Sequence, residues 1–122
     1  MKAGAAEVLC ADIDPFCLAA GTLNARANAV DLTFTAENLL DGPPPRVDVI
    51  CAGDVCYEGP MTQHVLAWLA AARANGTRVL IGDPGRTYFP KSGLTFLAEY
   101  QVETTRELED FAIKRSCVWS MD

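Results

Sequence analysis

A chain of 122 residues has room for one domain and one moderate core. Half of the residues are apolar and 21% are charged, which is globular composition and excludes a disordered chain. The net charge of -6 and pI near 4.6 argue against nucleic-acid and anionic-membrane partners, and suit a basic one.

Met1 to Ala6 reads as the last turn of a helix ended by Gly4. Glu7 to Ala11 is a short strand that runs into Asp12-Ile13-Asp14-Pro15. There Asp14 is suited to cap a helix and Pro15 to occupy its first position. That helix runs to about Asn28, with Phe16, Ala20, Leu23 and Ala27 on one face and Asn24 and Arg26 on the other. Leu32 to Ala36 is a second strand, in which Thr33, Phe34 and Thr35 supply β propensity. Glu37 to Arg46 is a loop, because Gly42-Pro43-Pro44-Pro45 forbids a helix or a central strand.

Val47 to Tyr57 begins as an apolar, β-branched run that predicts a strand covered on both faces. It ends in Gly53, the carboxylate of Asp54 and, three residues on, the phenol of Tyr57. Open parallel sheets bind ligands beyond the carboxyl ends of their strands, so Asp54 and Tyr57 stand where chemistry is expected. A second helix starts near Pro60 and continues to Asn75, with Val65, Trp68, Leu69 and Ala72 inward and Gly76 closing it. Arg78 to Gly82 is another buried strand, Asp83 to Lys91 a loop, and Ser92 to Ala98 suggests a short helix. Tyr100 to Arg106 and Phe111 to Trp119 alternate around the polar turn Glu107 to Asp110, which is the pattern of an antiparallel hairpin. The expected class is therefore α/β, with a mostly parallel sheet and a C-terminal antiparallel hairpin.

Five cysteines form no Cys-x-x-Cys pair, and the single histidine, His64, leaves little for a zinc site or a His-dependent hydrolase. Nothing at the start reads as a signal peptide, no apolar run is long enough to span a bilayer, and a reducing, cytoplasmic setting is expected. Cys56 reads as packing, since no basic partner is visible to activate it.

Asp12 at the end of the first strand suits a vicinal diol, because a carboxylate accepts two hydrogen bonds at once; a helix-cap role is the plainer reading. Taken with it, Asp12-Ile13-Asp14-Pro15, Gly53-Asp54-Val55-Cys56-Tyr57 and Gly82-Asp83-Pro84-Gly85-Arg86, in this order, resemble the class I, seven-β-strand S-adenosylmethionine-dependent methyltransferases. Within that class the likeness is to protein-lysine methyltransferases with an Asp-x-x-Tyr signature, the electron-transfer-flavoprotein β-subunit group and its nicotinamide N-methylase-like bacterial relatives. It covers essentially the whole chain.

The resemblance implies a Rossmann-like methyltransferase sheet, S-adenosylmethionine as cofactor and a lysine-bearing protein as substrate, with electron transfer flavoprotein the named candidate. It casts Asp12 as the ribose-binding acid and Ile13 as the apolar residue on adenine. Glu37 and Asn38 fall near the adenine edge, and Asp54 and Tyr57 face the methyl-accepting lysine. Asp83 and Arg86 match the family loop without an implied role beyond a loop-bracing ion pair, and Trp119 matches as a core residue. A small-molecule N-methyltransferase and an inactive interaction or dimerisation module are the other readings.

Relatives also carry a first core strand and a glycine-rich cofactor loop, neither of which occurs in these 122 residues. The expectation is a single, truncated methyltransferase domain over residues 1–122. In the family's sheet order, 3-2-1-4-5-7-6, the strand not found here is central. Without it, the strands ending at Asp12 and Cys51 are expected to have unpaired edges. Direct pairing of the two strands, or pairing with a second copy in a homodimer, would close that gap.

Overall fold

The computed structural model describes residues 1–103 and 113–122. The chain forms two compact units, Met1–Gly42 and Pro43–Asp122, divided at the start of the proline run.

The first unit holds β1 (Leu9–Ala11), α1 (Pro15–Ala27) and β2 (Thr33–Thr35), followed by a single 3-10 turn at Leu39–Asp41. β1 and β2 are parallel, with Ala11 opposite Thr35 at their carboxyl ends. The start of α1 follows the sequence closely. Asp14 is extended, its Oδ1 accepts from the Phe16 N–H at 2.8 Å, and Pro15 is the first helical residue.

The inward face of α1 is not the one expected. Phe16 and Leu23 are 83% and 64% exposed, Ala20 and Ala27 are exposed too, and the buried residue is Ala25, flanked by part-buried Leu18, Gly21 and Thr22. Close approach decides this. A Cβ on Gly21 would lie 2.6 Å from Cε1 of Phe34, so the ring of β2 occupies the space that only a glycine leaves. Helix orientation here follows the one gap in the helix surface rather than the sum of apolar residues.

The second unit holds β3 (Val49–Gly53), α2 (Gly59–Ala74), β4 (Arg78–Asp83), β5 (Leu94–Glu103) and β6 (Ile113–Met121). Its sheet order is β3-β4-β6-β5; the β3–β4 pair is parallel, and β6 is antiparallel to both neighbours. β1 and β3 each have a single partner among the described residues, as expected. The turn foreseen at Glu107 to Asp110 lies outside the described residues.

α2 packs against β4, burying Thr62, Val65, Leu69 and Ala72 over Val79 and Ile81, while Trp68 is half-buried. Fully burying one such aliphatic side chain contributes roughly 1.5–3 kcal/mol, so this small layer is the main apolar contribution of the unit. The helix ends where Asn75-Gly76 predicts, with Gly76 at φ 93 and its N–H donating to Arg73 O. Phe89 and Phe96 meet Trp119 at ring-centroid distances of 5.5 and 5.2 Å.

Two expectations fail in this unit. β3 is covered on one face only: Val49 is 46% exposed and Cys51 is exposed, while Ile50 and Ala52 turn to the part-buried side. α2 packs over Val79 and Ile81, the register partners of Ile50 and Ala52, and apolar content alone cannot reveal how many layers flank a strand. Ser92 to Ala98 is not a helix. Gly93 takes φ 78, and β5 starts at Leu94, where Thr95 pairs with Ser120 and Phe96 with Trp119. Pairing across nine residues of β6 overrides a weak local helix preference.

Candidate active site

At the carboxyl edge of β3, the ladder is extended by one bond: the Asp54 N–H donates to Gly82 O at 2.8 Å. Asp54 itself has φ 52, the left-handed region, which aspartate tolerates better than most residues but which still carries strain. The turn directs its carboxylate outward, where both oxygens are held by one guanidinium. Arg86 Nε donates to Oδ1 and Nη2 to Oδ2, each at 2.6 Å, in a parallel fork. That fork, more than the smaller pull of Lys114 on β6, holds the Asp54 carboxyl below its usual range.

Arg86 is in turn set by Asp83. This residue is 2% exposed, and its Oδ1 accepts from the N–H groups of Gly85 at 2.7 Å and Arg86 at 2.8 Å. Its Oδ2 is buried without a hydrogen-bond partner among the described residues. The loop ion pair expected between the family-loop residues is therefore a different one: Arg86 reaches across to Asp54, and Asp83 binds main chain.

Tyr57 is 56% exposed three residues beyond Asp54. Tyr88, from the loop after β4, lies over Gly59 at the start of α2, where a Cβ would come within 3.2 Å of its ring. Cys56 is fully buried, and burial, followed by the charges of Asp83 and Asp54, pushes its thiol up. It is a packing residue held in its thiol form. His64 is exposed on α2.

In the first unit, the carboxyl edge of the parallel pair gathers the other four candidate residues. Asp12 follows β1, and its N–H donates to Thr35 O at 3.2 Å. Its exposed carboxylate accepts from the Asp14 N–H through Oδ1 at 2.9 Å, which leaves acceptor capacity. Ile13 beside it is 69% exposed. The thiol of Cys17 is pushed up by its hydrogen bond to Asp12. Glu37 and Asn38 follow β2 directly. Asn38 is already engaged, since its Oδ1 accepts from the Leu40 N–H at 3.3 Å and its Nδ2 donates to Asp41 Oδ1 at 2.9 Å. Glu37 is exposed.

The sequence singled out Asp54 and Tyr57 but left Arg86 without a function. One signal was present: Gly-Asp occurs at the end of both β3 and β4, and neighbouring parallel strands place such repeats side by side.

No protein-family model matches the chain. It is 36% identical over 125 residues to the electron transfer flavoprotein beta subunit lysine methyltransferase of Xenopus laevis, covering 98% of this chain and 51% of that protein. The enzyme of the same name from Rattus norvegicus is 33% identical over 122 residues, covering 95% and 48%. The chain thus spans about half the length of the curated relatives it matches. Among solved structures, magnesium protoporphyrin IX methyltransferase from Synechocystis PCC 6803, with bound SAH, superposes with a TM-score of 0.61 at 17% identity, over 99% of this chain and 66% of that one. At that identity the likeness shows the fold alone.

In sequence the chain is thus similar to about half of these lysine methyltransferases, and in fold to a solved methyltransferase.

Proposed function

We propose that this chain serves methyl transfer from S-adenosylmethionine to the side-chain amine of a protein lysine, with Asp54 and Tyr57 at the acceptor amine. The observation that carries the reading is the outward, ionised carboxylate on a left-handed turn at the end of β3, followed by an exposed phenol. A left-handed backbone at a residue other than glycine is uncommon, and its position at a strand's carboxyl end supports a functional reading of this carboxylate. The names of the relatives support a protein lysine, and the beta subunit of electron transfer flavoprotein is the first acceptor to try.

The residues of the first unit fit the nucleoside half of the cofactor. Asp12 has an exposed carboxylate with free acceptor sites, suited to ribose hydroxyls, and Ile13 beside it offers bare apolar surface to adenine. Glu37, beyond β2, is the acceptor available for the adenine edge; Asn38 would take part only by giving up its local bonds.

The bound cofactor supplies an electrophilic methyl group on a sulfonium. The chain's own contribution is alignment, since an in-line displacement needs the amine lone pair directed at that methyl. Asp54 accepts a hydrogen bond from the amine and fixes its direction. Tyr57 offers its ring face or its oxygen to the same nitrogen. The lysine must arrive at the reaction without its extra proton, because an ammonium with a pKa near 10.4 has no lone pair to donate.

Isothermal titration with S-adenosylmethionine tests this reading, using the chain and a chimera that joins it to the part of the frog relative that it does not match. Methyl transfer to electron transfer flavoprotein is then followed by mass spectrometry. Binding with transfer to lysine supports the proposal. Failure of both proteins to bind the cofactor removes it.

A further inference from the structure

We propose that Arg86 is a positioning residue for methyl transfer, whose fork on Asp54 lets that carboxylate orient a neutral amine without trapping it as an ammonium. This rests on the reading of Asp54 as the acceptor-side carboxylate.

A carboxylate alone presents a difficulty. It attracts and orients a lysine, yet it stabilises the charged form and so opposes loss of the proton that the reaction requires. The arrangement around Asp54 answers that difficulty. Two parallel bonds of 2.6 Å from Arg86 offset its charge while occupying only part of its acceptor capacity. An amine meeting this pair finds oxygen lone pairs for its N–H groups and little net negative charge.

An ion pair with 38% and 47% side-chain exposure is ordinarily incidental to the surface. This one is not free to wander. The Asp54 main chain is tied to Gly82 O, and the Arg86 main chain is tied to the buried Asp83 carboxylate. Gly85, at φ 95, makes the tight turn that brings Arg86 back over the strand ends. Each partner is thus placed by the backbone of its own loop, and the buried carboxylate beneath serves to set the exposed pair above.

The other charged and titratable groups do not replace Arg86. Lys114 from β6 acts on Asp54 through space as a weaker influence. Cys56 is kept as a thiol by burial. Asp83 turns its Oδ1 to loop amides, and Tyr57 lies on the same loop as Asp54. Among the described residues, the bidentate contact is made by Arg86.

The test uses ethylammonium as a lysine mimic at constant ionic strength and neutral pH, with the Asp54 side-chain carbonyl followed by carbon NMR. Arg86→Gln and Arg86→Met are expected to bind the probe about threefold or more tightly than the parent chain, because the uncovered carboxylate regains its charge. Arg86→Lys, which keeps the charge, is expected to match the parent, and adding Asp54→Asn to Arg86→Gln is expected to remove the gain. Equal probe affinity in parent and neutral variants overturns the proposal. So does loss of fold in both neutral variants, which would make the pair a brace for the strand ends. The probe needs no cofactor, so this result stands apart from whether the chain transfers methyl. Where transfer is measured, the acid limb of the pH–rate profile is expected to move up by about one unit in Arg86→Gln. A uniform fall at every pH points to a structural brace and overturns the proposal as well.

Discussion

Gly53 and Gly82 stand opposite each other as register partners at the carboxyl ends of β3 and β4, and each passes the chain to an aspartate used in the opposite way. After Gly53 the backbone turns left-handed and sends Asp54 to the surface. After Gly82 the strand runs on by one residue, and Asp83 continues its alternation into the covered face below. One repeated dipeptide thereby yields one exposed carboxylate and one buried beneath the loop that it holds.

The buried member should matter to stability. Asp83→Ala removes the acceptor for two loop N–H groups, and the expected loss is roughly 1–3 kcal/mol, since partner groups are left unmade. Urea denaturation reads it as a lower midpoint with unchanged slope. A midpoint equal to the parent's would mean that the loop amides find water without penalty.

The exposed member should make a contribution to stability that depends on pH. Its folded pKa is depressed, so the pair's contribution is complete above the ordinary carboxylate value of 3.8 and is lost as pH falls through the lower folded value. The stability difference between the parent and Asp54→Asn is therefore expected to be constant from pH 5 upward and to shrink below pH about 4. A difference that persists unchanged to the most acid conditions tolerated would show that the fork does not hold the carboxylate ionised.

Function and binding should separate by unit. Asp12→Ala is expected to weaken S-adenosylmethionine by about tenfold or more, equivalent to about 1.4 kcal/mol, by removing the acceptor proposed for the ribose. Asp54→Asn is expected to leave cofactor affinity unchanged and to abolish methyl transfer. Titration calorimetry and a transfer assay on the same samples, parent chain or chimera, check both. Full turnover by Asp54→Asn would remove that residue from the site.

The first unit offers a packing test. Gly21→Ala gains up to about 1 kcal/mol in helix propensity, but it places a methyl 2.6 Å from the Phe34 ring. Overpacking of this kind costs roughly 1–3 kcal/mol, so a net loss is expected. Phe34→Leu in the same chain is expected to recover part of it. Thermal denaturation of the single and double variants measures the coupling.

Local chemistry was enough to place much of this protein from its sequence. Asp14-Pro15 opens a helix and Asn75-Gly76 closes one because capping and left-handed turns depend on residues adjacent in the chain. Asp12, Ile13, Asp54 and Tyr57 fall at strand carboxyl ends for the same reason, since a strand's end is written in its own neighbours. Other features waited on the fold. Which face of α1 turns inward depends on Phe34 fitting against Gly21, and β5 replaces a weak helix only because β6 is there to pair with it. The Arg86–Asp54 fork joins residues 32 positions apart. Sequence spacing carries no record of such a distance, and only the parallel alignment of two strand ends brings a guanidinium from one loop onto the carboxylate of another.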